Sequence, residues 1–165
     1  MQKIIFFLFL VTVALSCNSN NQNIQNLQSQ VNLLQTKVDS AYKPGFGEFM
    51  SGIQVHHEKL WFAGINQNWA LADFEIGEIK ETLDDIKKYC TDRPESASLG
   101  MIDQPLENVN NAVKQKNPEM FKSNFTVLTA TCNSCHQKTN HAFNVIKIPE
   151  TPPFSNQEFK PNATK

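Results

Sequence analysis

The chain has 165 residues, and its 15 basic and 16 acidic side chains give a formal net charge of −1 at neutral pH. This length accommodates one domain, and the near balance of charge argues against nucleic-acid binding. No Ser-His-Asp, paired-carboxylate or phosphate-loop arrangement rises above background, so we do not expect an enzyme.

The N-terminus has the features of an export signal. Lys3 precedes an apolar run, residues 4–15, that is too short for a permanent transmembrane helix. Residues 14–17, Ala-Leu-Ser-Cys, resemble a bacterial lipobox, in which the cysteine is lipidated and becomes the mature N-terminus. We therefore expect residues 1–16 to be removed and Cys17 to anchor a periplasmic lipoprotein to the membrane. Ordinary cleavage near Ser16, which would leave Cys17 unmodified, is the alternative.

Residues 17–44 are predicted to form a helical or disordered tether. Residues 18–30 are dominated by Asn and Gln, which bury too little apolar surface to fold alone. Six apolar residues are nevertheless spaced alternately by three and four, which places them on one helical seam. They are Ile24, Leu27, Val31, Leu34, Val38 and Ala41. This pattern predicts either a short coiled coil, and hence a homo-oligomer, or a marginal monomeric helix.

Residues 45–148 are predicted to form an antiparallel four-helix bundle, since no segment shows the alternation of a strand. The first helix is expected over residues 46–63, with Met50 and His57 facing inward and His56 pointing away. After a short break with Asn available as an N-cap, the second helix is expected over residues 69–90, with Glu75 on its solvent side and Cys90 as a small buried hydrophobe.

The second half of the bundle begins with a predicted loop over residues 91–102. Asp103 is placed to cap a short third helix, and Asn117-Pro118-Glu119 is a strong start signal for a fourth. Residues 149–165, which follow a proline-rich stretch, are expected to be an extended tail.

The fourth helix ends with Cys132-Asn133-Ser134-Cys135-His136, the attachment pattern for haem c. Cysteines three residues apart lie on one side of a helical turn, where each can bond one vinyl group, and the adjacent histidine reaches the iron. A Cys-x-x-Cys pair can also bind zinc or act as a redox dithiol. Export, the helical context and the absence of a predicted strand before the motif favour haem over these alternatives.

A single such motif near the end of the last helix of a bundle resembles the cytochrome c-prime superfamily, including its low-spin branch with a methionine ligand from the first helix. The resemblance covers about residues 46–143, and its specific part is the haem motif. Residues 54–64 and 155–159 also resemble segments of uncharacterised bacterial cytochromes of this type. The resemblance implies a covalently bound haem, with the iron five-coordinate in many members.

The sixth iron ligand is left open between Met50, His57 and an unoccupied position. Antiparallel packing sets the start of the first helix level with the end of the fourth, which favours Met50. His57 lies seven residues further along, or roughly 10 Å at a rise of ~1.5 Å per residue. Trp61 and Phe125 are candidates for packing against the haem.

These observations predict a membrane-tethered electron carrier that exchanges electrons with periplasmic or membrane redox partners. A five-coordinate haem protein that binds a small gas such as NO or CO is the principal alternative, and a zinc-stabilised helical module is a weaker one.

Overall fold

The computed structural model describes the backbone of residues 2–41 and 44–162, and the side chains of residues 21–40 and 44–162. In these residues the secondary structure is five α-helices and one 3-10 helix, without strands, which confirms the all-α prediction. None of the helices in the described part has the length and apolar character needed to span a bilayer. The α-helices are α1 (Gln2–Ala41), α2 (Phe46–Ile65), α3 (Trp69–Tyr89), α4 (Asp103–Lys114) and α5 (Pro118–Lys138).

The chain divides into two units, and α1 forms the first of them. Residues 18–30, where the composition predicts a tether, are helical throughout. Every described side chain of α1, over residues 21–40, is exposed. The side chains that carry the predicted export signal and lipidation of Cys17 lie outside the described residues, so both stay predictions.

The second unit, from residue 44 onward, contains α2 to α5. In this unit α2 packs against α3 and α5, and α4 packs against the same two helices. The helices are therefore joined through one apolar core, at whose centre the largest fully buried apolar side chains lie. These are Phe121, Phe125, Leu60, Ile76, Ile86, Leu99, Leu106 and Val109.

The two short turns after α2 and after α4 have the same backbone conformation. Gln67 (φ 58°) and Lys116 (φ 51°) adopt the left-handed conformation that ends a helix in a Schellman motif. The next residue bonds back to the helix it leaves, from Asn68 N to Ala63 O and from Asn117 N to Ala112 O. Asn68 and Asn117 also cap α3 and α5 through their side chains, as their positions in the sequence predict.

The segment between α3 and α4 is more ordered than the predicted loop. Residues Pro94–Met101 form a 3-10 helix in which Leu99 is buried. Ile102, not Asp103, occupies the N-cap position of α4, and no side chain bonds to the free amides there. The predictions of a loop over residues 91–102 and of a cap at Asp103 were therefore wrong. Burial of Leu99 and Ile102 against the core orders the segment and places an apolar residue at the N-cap position of α4.

The predictions for Glu75 and His56 were also wrong. Glu75 is completely buried, and its Oε2 lies 2.7 Å from Nδ1 of His56, whose side chain is only 20 % exposed. Glu75 is three residues after Ala72 and four before Ile79, both buried, so helical geometry places it on the inner face. The charge of Glu75 suggested a solvated residue, but His56 on α2 supplies a partner across the helix interface.

The residues after α5 contain no helix or strand from 139 to 162. Phe159 is nevertheless buried and packs on Phe62 of α2, with ring centroids 5.6 Å apart. Nδ2 of Asn68 also donates to the carbonyl of Lys160 at 3.4 Å. The described part of the predicted tail is therefore attached to the helical unit near the turn between α2 and α3.

Candidate functional site

The predicted haem motif borders an apolar cavity of about 240 Å³. Cys132, Cys135 and His136 from α5, and Met50 and His57 from α2, line this cavity together. The structure thus brings all five candidate attachment and ligand residues to one place, although up to 86 residues of sequence separate them. Most of the cavity surface is apolar, and Phe46, Ile53, Leu99, Ile102 and Ile146 contribute to it, although polar residues such as Gln54, Arg93 and Glu95 also line the cavity.

The half-buried ring of His136 is held by the segment that follows α5. Nδ1 of His136 lies 2.6 Å from the backbone carbonyl of Asn144. Since a carbonyl oxygen only accepts hydrogen bonds, Nδ1 must carry the proton. This tautomer leaves the lone pair of Nε2 free, and such a bond at the second nitrogen is how proteins orient histidines that bind metals.

Asn133, between the two cysteines, fixes the same segment by a paired interaction. Its Nδ2 donates to the carbonyl of Ile146 at 2.7 Å, and its Oδ1 accepts from the amide of Ile146 at 2.8 Å. Asn144 and Ile146 are thus both bonded to the motif. We refer to residues 141–146 as the closing segment.

The end of α5 directs the closing segment back along the helix. Asn140, with φ 63°, adopts the left-handed conformation, and the amide of His141 bonds to the carbonyl of His136 at 2.7 Å. This is a third Schellman motif with asparagine at the left-handed position. The reversal explains why residue 144 can reach the ring of His136.

The thiols of the motif are in a low-polarity environment. Burial, and secondarily the neighbouring Cys135, raises the pKa of Cys132 to about 11. Burial also raises the pKa of Cys135. Reactive dithiols have lowered pKa values, commonly at helix N-termini, whereas these cysteines lie at a helix C-terminal end. The environment therefore argues against a thiol redox centre.

His57 is a buried, hydrogen-bonded histidine. Its Nε2 lies 2.9 Å from Oγ1 of Thr129, whose hydroxyl donates to the carbonyl of Phe125. Nε2 must therefore donate to the threonine oxygen. Burial lowers the pKa of His57 to about 4, so the ring is neutral at pH 7. A hydrogen bond to the core thus occupies Nε2, the more extended ring nitrogen.

Trp61 and Phe125 do not line the cavity. Their rings lie 5.0 Å apart in an aromatic cluster that also contains Phe121 and Trp69. Phe125 contacts the ring of His57 at 4.4 Å, so this cluster supports the cavity wall from the core side. The structure therefore assigns both residues to core packing and does not bring them to the cavity surface.

Arg93 and Glu95 also line the cavity, although no pattern in the sequence had pointed to them. The Arg93 guanidinium makes two hydrogen bonds to Glu95, at 2.9 and 3.2 Å, and lies 5.7 Å from the centre of the Phe46 ring. The hydrogen bond from Arg93 lowers the pKa of Glu95. Arg93 is the one arginine of the chain, a signal that could have drawn attention to it.

In the described residues, no group of three or more His, Cys, Asp or Glu side chains is arranged to hold a metal ion. Comparison of the chain with protein-family models, with curated proteins and with solved structures finds no match.

Proposed function

We propose that this protein is a c-type cytochrome that transfers electrons, with one haem bonded to Cys132 and Cys135 and its iron bound by His136. The observation that carries the proposal is the shared apolar cavity, in which two thiols, a histidine with Nε2 free and a methionine converge. Haem c supplies a one-electron iron couple when bound. A carrier of this kind needs no substrate site.

The residues around the cavity have distinct roles in this proposal. Cys132 and Cys135 would hold the porphyrin edge and Nε2 of His136 would bind the iron, while the Asn144 carbonyl orients the ring of His136. The mostly apolar surface of the cavity would lower the local dielectric constant around the haem, which tunes the reduction potential. Asn133 holds the closing segment and so maintains the hydrogen bond to His136.

Met50 is our proposed sixth ligand. It lines the cavity from the first turns of α2, and because a thioether sulfur is only a weak hydrogen-bond acceptor, binding to iron would cost it little. His57, by contrast, would bind through Nδ1 or else lose its bond to Thr129. An axial methionine raises the reduction potential relative to a second histidine, which suits an electron carrier.

We also propose that α2 to α5 form an antiparallel four-helix bundle, supported by the short turns after α2 and α4 and by the packing of α2 and α4 each against α3 and α5. Export and lipidation at Cys17 would place this bundle at the periplasmic face of a membrane, next to redox proteins. The sequence of residues 1–17 supports this location.

The decisive experiment is the absorption spectrum of the purified protein, oxidised and reduced, for the native chain and for Met50→Leu. We expect a covalent haem spectrum that is low-spin in the native chain and becomes high-spin in Met50→Leu, because leucine keeps the volume but cannot bind iron. Met120→Leu is the matched control, since this exposed methionine of α5 does not line the cavity.

Each contrary outcome removes a specific part of the proposal. Absence of a porphyrin signal would exclude a cytochrome. If the native ferrous form is high-spin and takes up CO readily, the proposed function would change from electron transfer to binding of a small gas. If the native spectrum is low-spin and becomes high-spin in His57→Ala but not in Met50→Leu, His57 is the sixth ligand.

A further inference from the structure

The apolar seam of α1 is exposed in the single chain. The described members, Ile24, Leu27, Val31, Leu34 and Val38, are each between 56 and 67 % exposed. A helix in water derives most of its stability from packing of an apolar face, and an exposed face contributes little. This continuous seam is therefore a surface to which a partner would add stability.

The residue types along the seam specify the partner. With Ile24 at the first core position of a heptad, the a positions are Ile24, Val31 and Val38, and the d positions are Leu27, Leu34 and Ala41. Every a residue is β-branched, and two of the three d residues are leucine. This combination favours parallel two-stranded coiled coils, whereas trimers and tetramers favour isoleucine at d.

We propose that residues 24–41 pair with the same residues of a second copy of this chain, as a parallel, in-register coiled-coil dimer. The proposal does not depend on the haem. Parallel pairing also leaves both N-termini at one end, as two lipid anchors in the same membrane would require.

The residues that flank the seam are compatible with a second copy. The e and g positions over residues 23–37 hold Asn23, Gln28, Gln30, Gln35 and Lys37, of which only Lys37 is charged. Like-charge repulsion between two identical helices is therefore minimal. Gln28, Gln30 and Gln35 bond to Asn32, Asn26 and Asp39 on the outer faces of α1. These contacts support the helix and leave the seam free.

Because the seam is short, the lipid anchor affects how strongly two chains pair. Fewer than three full heptads give a weak interface in dilute solution. Attachment to a membrane confines the chains and raises their effective concentration, which strengthens a weak contact without adding a new one. The pairing should therefore be tested on the full chain in membranes.

The experiment is oxidative cross-linking of the full chain in membranes of expressing cells, with Leu34→Cys and the neighbouring Leu33→Cys. Leu33 is 56 % exposed but lies off the seam, so it is a matched control for leucine replacement and thiol access. In a parallel, in-register pair the two residues at position 34 face each other within disulfide distance. We expect Leu34→Cys, and separately Leu27→Cys, to give at least tenfold more covalent dimer than Leu33→Cys.

The unsubstituted chain gives the background from the four native cysteines. Equal dimer from Leu33→Cys and Leu34→Cys, or none above background, would overturn the pairing. Cross-links that form only between Val31→Cys and Leu34→Cys chains would overturn the parallel orientation, because an antiparallel pair places these two positions opposite each other. Haem absorbance of the same samples reports on the cytochrome proposal separately, since the substitutions lie in the other unit.

Sedimentation of the purified full chain tests the stoichiometry, in detergent at a ratio of protein to micelles high enough to place two chains in one micelle, because the interface is weak in dilute solution. We expect a dimer for the native chain and for Leu33→Lys, and a monomer for the double variant Leu27→Lys/Leu34→Lys, because a charge at d cannot be buried in the seam. A native trimer, or a double variant that is still dimeric, contradicts the proposal.

Discussion

Asn133 holds the closing segment through both functions of its amide. Asn133→Ala removes a donor and an acceptor and leaves the backbone of Ile146 with two unmade hydrogen bonds. We expect a loss of about 2 kcal/mol in the free energy of unfolding, measured in urea, because unsatisfied polar groups retain their desolvation cost. The reduction potential of the haem-loaded protein should also shift, since the Asn144 contact to His136 loosens.

Ser134→Ala is the control for Asn133→Ala, since this exposed neighbour bonds only within α5. If both substitutions cost the same, the closing segment is not held by Asn133. Asn133→Asp adds a finer test, because aspartate still accepts from the Ile146 amide but cannot donate to its carbonyl. Its stability should fall between those of the native and alanine chains.

His57 makes stability depend on pH. Its pKa is about 4 in the folded protein against 6.5 for a free side chain, because burial disfavours the charged form. As the pH falls from 7 toward 4, the unfolded chain binds a proton that the folded chain excludes, so stability is lost over this window. The loss approaches about 3 kcal/mol near pH 4, at about 1.4 kcal/mol per unit of pKa difference.

The measurement is urea unfolding at intervals from pH 7 to pH 4, for the native chain and for His57→Gln. Glutamine can still donate to Thr129 but does not titrate, so its stability should fall less over the same range. Carboxylates contribute equally to the pH dependence of stability in both proteins, so their contribution cancels when the two curves are subtracted. Parallel curves for the two proteins would show that His57 is not the titrating group.

At the scale of helices, α2 approaches α5 closely at one glycine. A Cβ atom on Gly64 would overlap the ring of Phe121, which is fully buried and cannot move away cheaply. Gly64→Ala should therefore destabilise the protein by about 2 kcal/mol or more, because the core is overpacked. Thermal or urea unfolding measures the effect.

Gly52→Ala is the matched control for Gly64→Ala in the same helix. Nothing lies within 4 Å of a Cβ at this position. The substitution should raise stability by up to about 1 kcal/mol, since alanine is the better helix former. Destabilisation by both substitutions would mean that helix propensity or backbone conformation, and not the contact with Phe121, decides the effect at Gly64.

Helix positions followed from the sequence because their signals are local. Alternating apolar spacing, the N-caps Asn68 and Asn117, and the proline after Asn117 act within a few residues. The burial of Glu75 and the order of residues 94–101 did not follow, since each depends on a neighbour distant in sequence. For Glu75 that neighbour is His56, 19 residues earlier.

At the scale of the whole molecule, the cavity draws its walls from α2, the 3-10 helix, α5 and the closing segment. A chain that cannot bind haem must leave this apolar space empty or wet. We expect the triple variant Cys132→Ala/Cys135→Ala/His136→Ala to keep its helical circular dichroism. Its free energy of unfolding should fall by about 3 kcal/mol or more relative to the haem-loaded native chain, because the attached haem would bury its apolar surface in the cavity only when the chain is folded.

Cys90→Ala is the control for cysteine loss outside the cavity. Cys90 is buried and free, so its replacement should cost less than the triple variant and leave the haem spectrum unchanged. A triple variant as stable as the native chain would contradict a haem pocket.

The motif at residues 132–136 and the two inward residues of α2 were evident in the sequence alone, because covalent attachment requires fixed residue types at fixed spacing. Only the tertiary structure brought Met50 and His57 to the same cavity as the motif, assigned Trp61 and Phe125 to the core, and added Arg93, Asn133 and the Asn144 carbonyl. Periodicity reports which side of a helix faces inward. It does not report which neighbour that side meets, since this depends on the turns and packing of the whole chain.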